Sequence, residues 1–385
     1  LRQLGFQETE TLSIFKSISK FCEKINDVND LKFVLEKAIF LAFDKRPGPV
    51  VVEIPDDIQR SYVDTNNLKS FQPKLDLQSK LNEEVLNNII YSINNSEKPV
   101  IILGGGLKTP SIEKNLNAVL NFLKLPILTS WAGLDLIEKK NPLNFGTFGV
   151  YGNRCGNFIV QNSDLLLVLG CRLSQNVTGS IYKSFAKNAK IIMVDIDDEE
   201  LKKFNDLGIK IYKKIHSPLS KFINEFKFHL KKKKIKNFTK WIDLLNFWKF
   251  NLEEKLNKEM IFKKNYVNIQ HFVRTLSEQL EPNSNIFIDT GGNLTWTCNH
   301  FKIKKDHKIY SSWNYTPMGY SLPASIGSAF VKNNKRNICI IGDGGLMLCL
   351  GELATVSTHK MDIKIFLFNN NGHGIQRQTI NTWLK

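Results

Sequence analysis

Acidic residues are in short supply: 37 Asp and Glu stand against 53 Lys and Arg, a net charge of +16. Such an excess raises the question of a nucleic-acid partner. No RNP, zinc-finger or helix-turn-helix pattern accompanies it, and lysine is abundant throughout the chain. The charge therefore reads as a compositional bias, and the densest run, Lys231 to Lys234, as a solvated face of a polar connector. No nucleic-acid partner is expected. No window of 18 apolar residues occurs, so no membrane span is expected either. Cysteine is sparse, with six residues and no CxxC pair. That excludes a disulfide frame and fits the reduced, buried thiols of a cytoplasmic protein. An initiator Met is missing as well: the chain opens on Leu1 and closes on Lys385, after a helix-like run with no stop signal. The expectation is a chain truncated at both ends, for which the lack of a signal peptide says little about location.

What is present is enough for globular cores: 42% of 385 residues are apolar, which suggests two or three domains. The most informative stretch runs from Ile338 to Gln378. Ile338–Ile341 is a short apolar run of the kind found in buried parallel strands. Gly342-Asp343-Gly344-Gly345 breaks it, and Leu346 to about Thr358 has helical spacing. Ile363–Phe368 is a second apolar run, read as a buried strand and closed by Asn369-Asn370-Asn371-Gly372. A right-handed crossover places both strand ends on one edge of a sheet. Asp343 and Asn370 can therefore meet across 27 positions of sequence. A carboxylate, an amide oxygen and a backbone carbonyl suit Mg²⁺, which prefers one or two protein groups plus substrate phosphates and water. Gly344 and Gly345 open the backbone to an anion, with the start of the following helix directed at the same place. GDG by itself is equally an ordinary turn.

GDG followed at this spacing by NN resembles the signature of thiamine diphosphate enzymes. The resemblance implies Asp343, Asn370 and Gly372 as Mg²⁺ ligands, and Gly342, Gly344 and Gly345 beside the diphosphate. Other phrases extend it. Residues 1–64 begin mid-domain, with a helix expected over Leu31–Phe43 and a buried strand over Val50–Ile54. GFQETETLSIFKSISK and RPGPVVVEIPDDIQ look like the end of the pyrimidine-binding domain of the acetolactate synthase (acetohydroxyacid synthase) group. There the matching Phe-Gln and Lys, here Phe6, Gln7 and Lys20, reach the active site across a dimer interface. The resemblance implies that the family's activating Glu would precede Leu1, since none of Glu8, Glu10 or Glu23 stands in its motif.

After a polar linker, residues 79–228 read as a Rossmann-like α/β domain with strands at Pro99–Leu103, Leu165–Leu169 and Ile191–Val194. KPVIILGGG, PLNFGTFGVYGN, DLLLVLGCRLSQNVTG and AKIIMVDIDDEE follow the order of the family's central domain. Gly104-Gly105-Gly106 after a strand is a partial dinucleotide loop, and Asp195 could take a ribose hydroxyl or cap a helix. Acetolactate synthases bind FAD here, with acidic and basic residues after the Arg. This chain has Leu173-Ser174-Gln175-Asn176 instead, leaving Arg172 as the one FAD candidate. Residues 229–265 form a basic connector whose Trp241, Phe247, Trp248 and Phe250 are expected to pack onto a domain.

Residues 266–385 are the diphosphate-binding domain, expected to be incomplete. Gly291, Gly292 and Asn293 follow a strand, and the resemblance implies diphosphate contacts there through backbone. Thr316 to Gly319 leads into a helix, and Met318 matches the apolar wedge beneath the thiazolium ring. His373 lies near the expected pocket. Where acetolactate synthases carry a Trp that favours 2-oxobutyrate, this chain has Thr379. The whole resemblance implies tandem doubly wound parallel α/β domains and at least a homodimer, with dimer or tetramer left open. It implies a thiamine diphosphate- and Mg²⁺-dependent transfer of a two-carbon hydroxyethyl unit from a 2-oxo acid, nominally pyruvate in branched-chain amino-acid biosynthesis. A related decarboxylase or carboligase with a sugar-linked or other acceptor fits the same residues. A non-catalytic interaction protein of this fold would be expected to have lost Asp343 or Asn370.

Overall fold

Strand-length apolar runs decide the architecture. The computed structural model describes residues 5–6, 8–73, 81–258, 264–331 and 335–384, and the chain divides into two units, 1–80 and 81–385. In the first unit, β1 (Phe21–Lys24) and β2 (Val50–Glu53) pair in parallel, joined by the helix Leu31–Phe43. That helix buries Val34 and Ala38, one turn apart. β2 is half-buried along its whole length rather than buried as its composition suggests, because a parallel strand is enclosed only where both faces are covered. β1 has no apolar run to announce it: Phe21-Cys22-Glu23-Lys24 carries two charges, which pair with Lys37 and Glu53 at 3.2 and 3.1 Å.

The second unit contains two parallel sheets. The first comprises β3 (Pro99–Leu103), β4 (Ile127–Thr129), β5 (Asn144–Thr147), β6 (Leu165–Leu169), β7 (Lys190–Asp195) and β8 (Ile211–His216). Its order, β5-β4-β3-β6-β7-β8, reverses between β3 and β6, the doubly wound pattern with its switch point there. β3 and β6 are buried at every position, as their uninterrupted Val, Ile and Leu require. The second sheet comprises β9 (Ser284–Ile288), β10 (Lys308–Tyr310), β11 (Arg336–Gly342) and β12 (Ile363–Phe368) in the order β10-β9-β11-β12, again all parallel. Its switch point falls between β9 and β11.

Two expectations change here. β12 is half-exposed, since it forms the edge of the described sheet and pairs with β11 alone. The single helix expected over 346–358 is two, Asp343–Leu348 and Glu352–Thr358. The break falls where Cys349 leaves the helical region, at φ −131° and ψ 25°.

The two sheets of this unit are tied by charge and by apolar packing. Lys108 Nζ lies 2.8 Å from Asp135 Oδ1 and donates to the Ile309 carbonyl, while Asp135 Oδ2 accepts the Ile309 N–H. Leu134, before β5, packs in one cluster with Ile286 and Ile288 of β9. Much of the basic connector is the helix Thr239–Lys258. Trp241 is buried, donates to the Pro99 carbonyl and meets Trp248 edge-on. Phe247 and Phe250 do not pack as expected; they are 63% and 67% exposed. In a helix whose face is set by Trp241, Leu245 and Trp248, they fall on the outer side.

Candidate cofactor site

The registers Ile340↔Ile288 and Gly342↔Phe368 bring the carboxyl ends of β9, β11 and β12 level on one edge of the sheet. Three polar segments leave from that edge at the switch point, where ligands bind in open α/β sheets. They are Asp289–Asn293, Gly342–Gly345 and Asn369–Gly374. A fourth, Thr316–Gly319, precedes the helix Ser321–Phe330.

Asp343 Oδ2 accepts the Gly372 N–H at 2.7 Å, so the GDG and NN loops are joined by a direct hydrogen bond. Gly372 sits at φ 144°, with Arg377 Nη2 only 2.7 Å from where a Cβ would be. Both facts favour glycine there. Arg377 also donates to the Asn371 carbonyl and so closes the loop from the far side. Asn370 is exposed, and its amide lies over Gly374, 2.7 Å from that residue's Cβ position. At Gly344 a Cβ would lie 2.6 Å from His373 Cε1 and 3.1 Å from Met318 Cε. The bare backbone of Gly344 thus fills a slot between an imidazole and a thioether from two other segments. Gly319, at φ 83°, approaches the Gly345 carbonyl, and Thr316 turns through φ 46° just before it. Met318, Gly319, Gly342 to Gly345, Gly372 and His373 are therefore gathered from three segments.

Asp289 is the organising residue that sequence reasoning passed over. It is fully buried. Oδ1 accepts the Gly319 N–H at 3.0 Å, and Oδ2 accepts the Ser321 N–H and hydroxyl at 2.9 and 3.1 Å. Its carbonyl takes the Asn293 amide at 2.7 Å. A Cβ on Gly345 would meet Asp289 Oδ1 at 2.7 Å, so the carboxylate also abuts the GDGG turn. The available signal was an acid at the end of the apolar run Ile286–Ile288, much as Asp343 follows Ile338–Ile341 after one glycine. Asn293 is buried and turned toward Asp289, so its side chain shapes the turn. Gly291, at φ 116°, and Gly292, packed under the Trp296 ring, leave backbone at the strand end. Beside them the Thr290 hydroxyl is buried with no protein partner among the described residues.

Phe6 is in the first unit and 95% exposed. Lys20, also in that unit, donates to the Asp44 and Arg46 carbonyls at 2.7 and 3.0 Å. Gln7 lies outside the described residues. Thr379 is exposed on the helix Gly374–Trp383. Arg172 is committed within the protein: Nε donates to Glu200 Oε1 at 2.7 Å, and Lys203 holds both Glu200 and the Arg172 carbonyl.

The triple glycine is likewise a packing feature. A Cβ on Gly104 would fall 2.0 Å from the Gly170 carbonyl oxygen. The segment after Gly104 is a single 3-10 turn, with the next helix starting only at Pro110. Asp195 accepts the N–H of Asp197 across its own turn. These residues do not fit a dinucleotide cradle.

Comparison with known proteins gives the class. Residues 86–222 match the central domain of thiamine pyrophosphate enzymes, and residues 289–384 match their C-terminal thiamine pyrophosphate-binding domain. The chain belongs to the thiamine pyrophosphate enzymes. Within them it is similar to acetolactate synthases. It is 28% identical over 391 residues to a probable acetolactate synthase large subunit of Methanococcus aeolicus, which covers 97% of this chain and 64% of the relative. Acetolactate synthase 1, chloroplastic, of Nicotiana tabacum is 30% identical over 96% of this chain and 55% of its own length. The isozyme 1 large subunit of Escherichia coli K12 is 29% identical over 97% and 64%. The chain thus spans 55% to 64% of the length of these relatives.

Proposed function

We propose that this protein is a thiamine pyrophosphate- and Mg²⁺-dependent carboligase of the acetolactate synthase type, taking a 2-oxo acid, pyruvate, as donor. The observation that carries the reading is the Asp343–Gly372 hydrogen bond, which joins the two halves of the signature at a switch point. Among the described residues no group of three or more His, Cys, Asp and Glu gathers to hold a metal unaided. A divalent ion at Asp343 would therefore draw on ligand phosphates, as Mg²⁺ commonly does. Asp343, the Asn370 amide oxygen and the Gly372 carbonyl would hold it.

Thiamine pyrophosphate, when bound, supplies a carbon nucleophile for the oxo group and takes up the electron pair released as CO₂ leaves. The chain's own residues supply position. Met318 offers an apolar support, and Gly344 lets backbone approach between it and His373. The Thr290 hydroxyl and the N–H groups near Gly291 can receive anionic oxygens. His373 stands at the rim, where it can contact substrate. A homodimer fits the exposed Met347, Leu348, Leu350 and Ile375 of the segments beside this edge, since exposed apolar side chains gathered in one region mark interfaces. Phe6, Gln7 and Lys20 would then serve a partner's site. All six cysteines are free and five are buried, which fits a reducing, cytoplasmic compartment. Among the described residues no helix is long and apolar enough to cross a membrane.

The test is formation of acetolactate and CO₂ from pyruvate by the full protein, dependent on added thiamine pyrophosphate and Mg²⁺. Absence of both turnover and cofactor binding would overturn the proposal.

Thr379 bears on the acceptor. A missing indole removes apolar contact that could select one extra methylene, an effect on the order of 1–3 kcal/mol. Competition between pyruvate and 2-oxobutyrate as acceptors should show little preference, and Thr379→Trp should raise the share of 2-oxobutyrate product. A strong preference for 2-oxobutyrate in the unaltered protein would contradict this reading. Such relaxed selection would equally admit bulkier or sugar-linked acceptors.

A further inference from the structure

In the second unit, a cavity of about 300 Å³ is lined by residues of the helices Arg154–Asn162, Thr239–Lys258, Ile269–Gln279 and Gly292–His300. Its walls carry five cationic side chains, Lys139, Arg154, Lys249, Arg274 and Lys302, against one carboxylate, Glu253. We infer that this cavity binds a small phosphate-bearing polyanion.

The cations come from positions scattered over both sheets' flanking elements, so no basic run in the sequence gathers them; the fold does. The internal pairing is incomplete. Lys139 Nζ is 3.7 Å from Glu253, and Lys302 turns outward to Glu278. Lys249 donates to the neutral Asn144 carbonyl at 3.0 Å and lies 5.3 Å from the Phe145 ring centre. Both arginines also have contacts within the protein, and each still presents a planar guanidinium fork suited to phosphate oxygens. The helix Arg154–Asn162 adds its amino-terminal end to the same wall, with Asn153 as its cap.

The groups inside respond to burial and to the surrounding cations. Lys139 is lowered from its ordinary value by burial first; Lys249 and Lys302 lower it further, against Glu253. His300, at the end of its helix, is pushed down to about 4 by burial, then by Arg274 and Lys139. Like charges held together in a half-closed space are unfavourable unless an anion joins them. A phosphate there would be met from several directions by charge-assisted hydrogen bonds.

His300 is a built-in reporter, because an anion beside it must raise its pKa from about 4. The experiment titrates the full protein, kept saturated with thiamine pyrophosphate and Mg²⁺ so that the Asp343 site is occupied, with inorganic pyrophosphate or citrate. It follows the His300 ring by NMR, assigned with His300→Gln, and binding by calorimetry. Pyrophosphate should raise the His300 pKa by about one unit. Lys249→Glu and Arg274→Gln should each weaken its binding at least about tenfold, while leaving thiamine pyrophosphate affinity unchanged. The two variants act on different helices, so misfolding of one leaves the other to decide. Equal pyrophosphate affinity in wild type and both variants, or an unmoved His300, would overturn the inference. Tighter binding of citrate than of pyrophosphate would overturn the assignment to phosphate. The reading of the Asp343 site is tested separately by thiamine pyrophosphate affinity, and its failure would leave the His300 readout intact.

Discussion

Asp343→Ala should weaken thiamine pyrophosphate binding in the presence of Mg²⁺ by at least about tenfold, ~1.4 kcal/mol or more. Two losses add. The carboxylate no longer receives the Gly372 N–H, now bonded at 2.7 Å, so the Asn369–Gly374 loop is released from the β11 turn. The only charged metal ligand of the proposed set is also removed. Asp343→Asn separates the two effects: its amide oxygen can still accept from Gly372, but it brings no charge to a cation. Calorimetric titration with thiamine pyrophosphate, at several Mg²⁺ concentrations, should therefore rank wild type above Asn and Asn above Ala. The Mg²⁺ dependence should flatten in both variants. Asp343 is half-exposed and no core packing rests on it, so thermal stability without cofactor should change little. Unchanged affinity in the alanine variant would sink the assignment of this residue.

The Asp343 loop was legible for physical reasons. Fully buried parallel strands must be nearly pure Val, Ile, Leu or Phe, so NICIIG declares itself; IKIFLF is read as a strand from the same run although it forms the half-exposed edge, and the glycines and asparagines beyond both runs mark the same edge. β3, β6 and β7 were readable on the same grounds. Strands with one wet or short face were not: β4 has three residues, β5 is Asn-Phe-Gly-Thr, and β8 is Ile-Tyr-Lys-Lys-Ile-His, whose residue types do not follow its alternating burial. The break at Cys349 could not be read because neither Leu348 nor Leu350 is a helix breaker; tertiary contacts decide it. The triple glycine misled in the opposite direction. Its Gly104 is required by the approach of the Gly170 carbonyl from β6, a neighbour 66 positions away that no local pattern names. Charge clusters such as that around Lys249 are similarly invisible before folding, because each cation sits in an ordinary solvated-looking segment.

Asp289→Ala should be the more damaging substitution, and damaging in a different way. The side chain is fully buried and receives three hydrogen bonds, from the Gly319 N–H and from the Ser321 N–H and hydroxyl. Its removal leaves the buried Ser321 N–H and the half-buried Gly319 N–H without this partner, at about 1–3 kcal/mol for a fully buried donor. The total loss of stability should be on the order of 3 kcal/mol or more. Asp289→Asn should lie between, since one carboxylate oxygen becomes an NH₂ facing a donor. The consequences reach the cofactor site through geometry. The carboxylate fixes the Met318–Gly319 turn and abuts Gly345, so its loss frees the thioether that faces Gly344 and His373. Thermal melting without ligand, followed by thiamine pyrophosphate titration below the melting range, distinguishes the two aspartates. Asp343→Ala should lose affinity with stability kept; Asp289→Ala should lose both, with the lower melting point appearing even in the absence of cofactor and Mg²⁺. A wild-type melting point for Asp289→Ala would show that the helix Ser321–Phe330 and the turn before it are held by packing alone, and that the buried carboxylate does not organise this edge of the sheet.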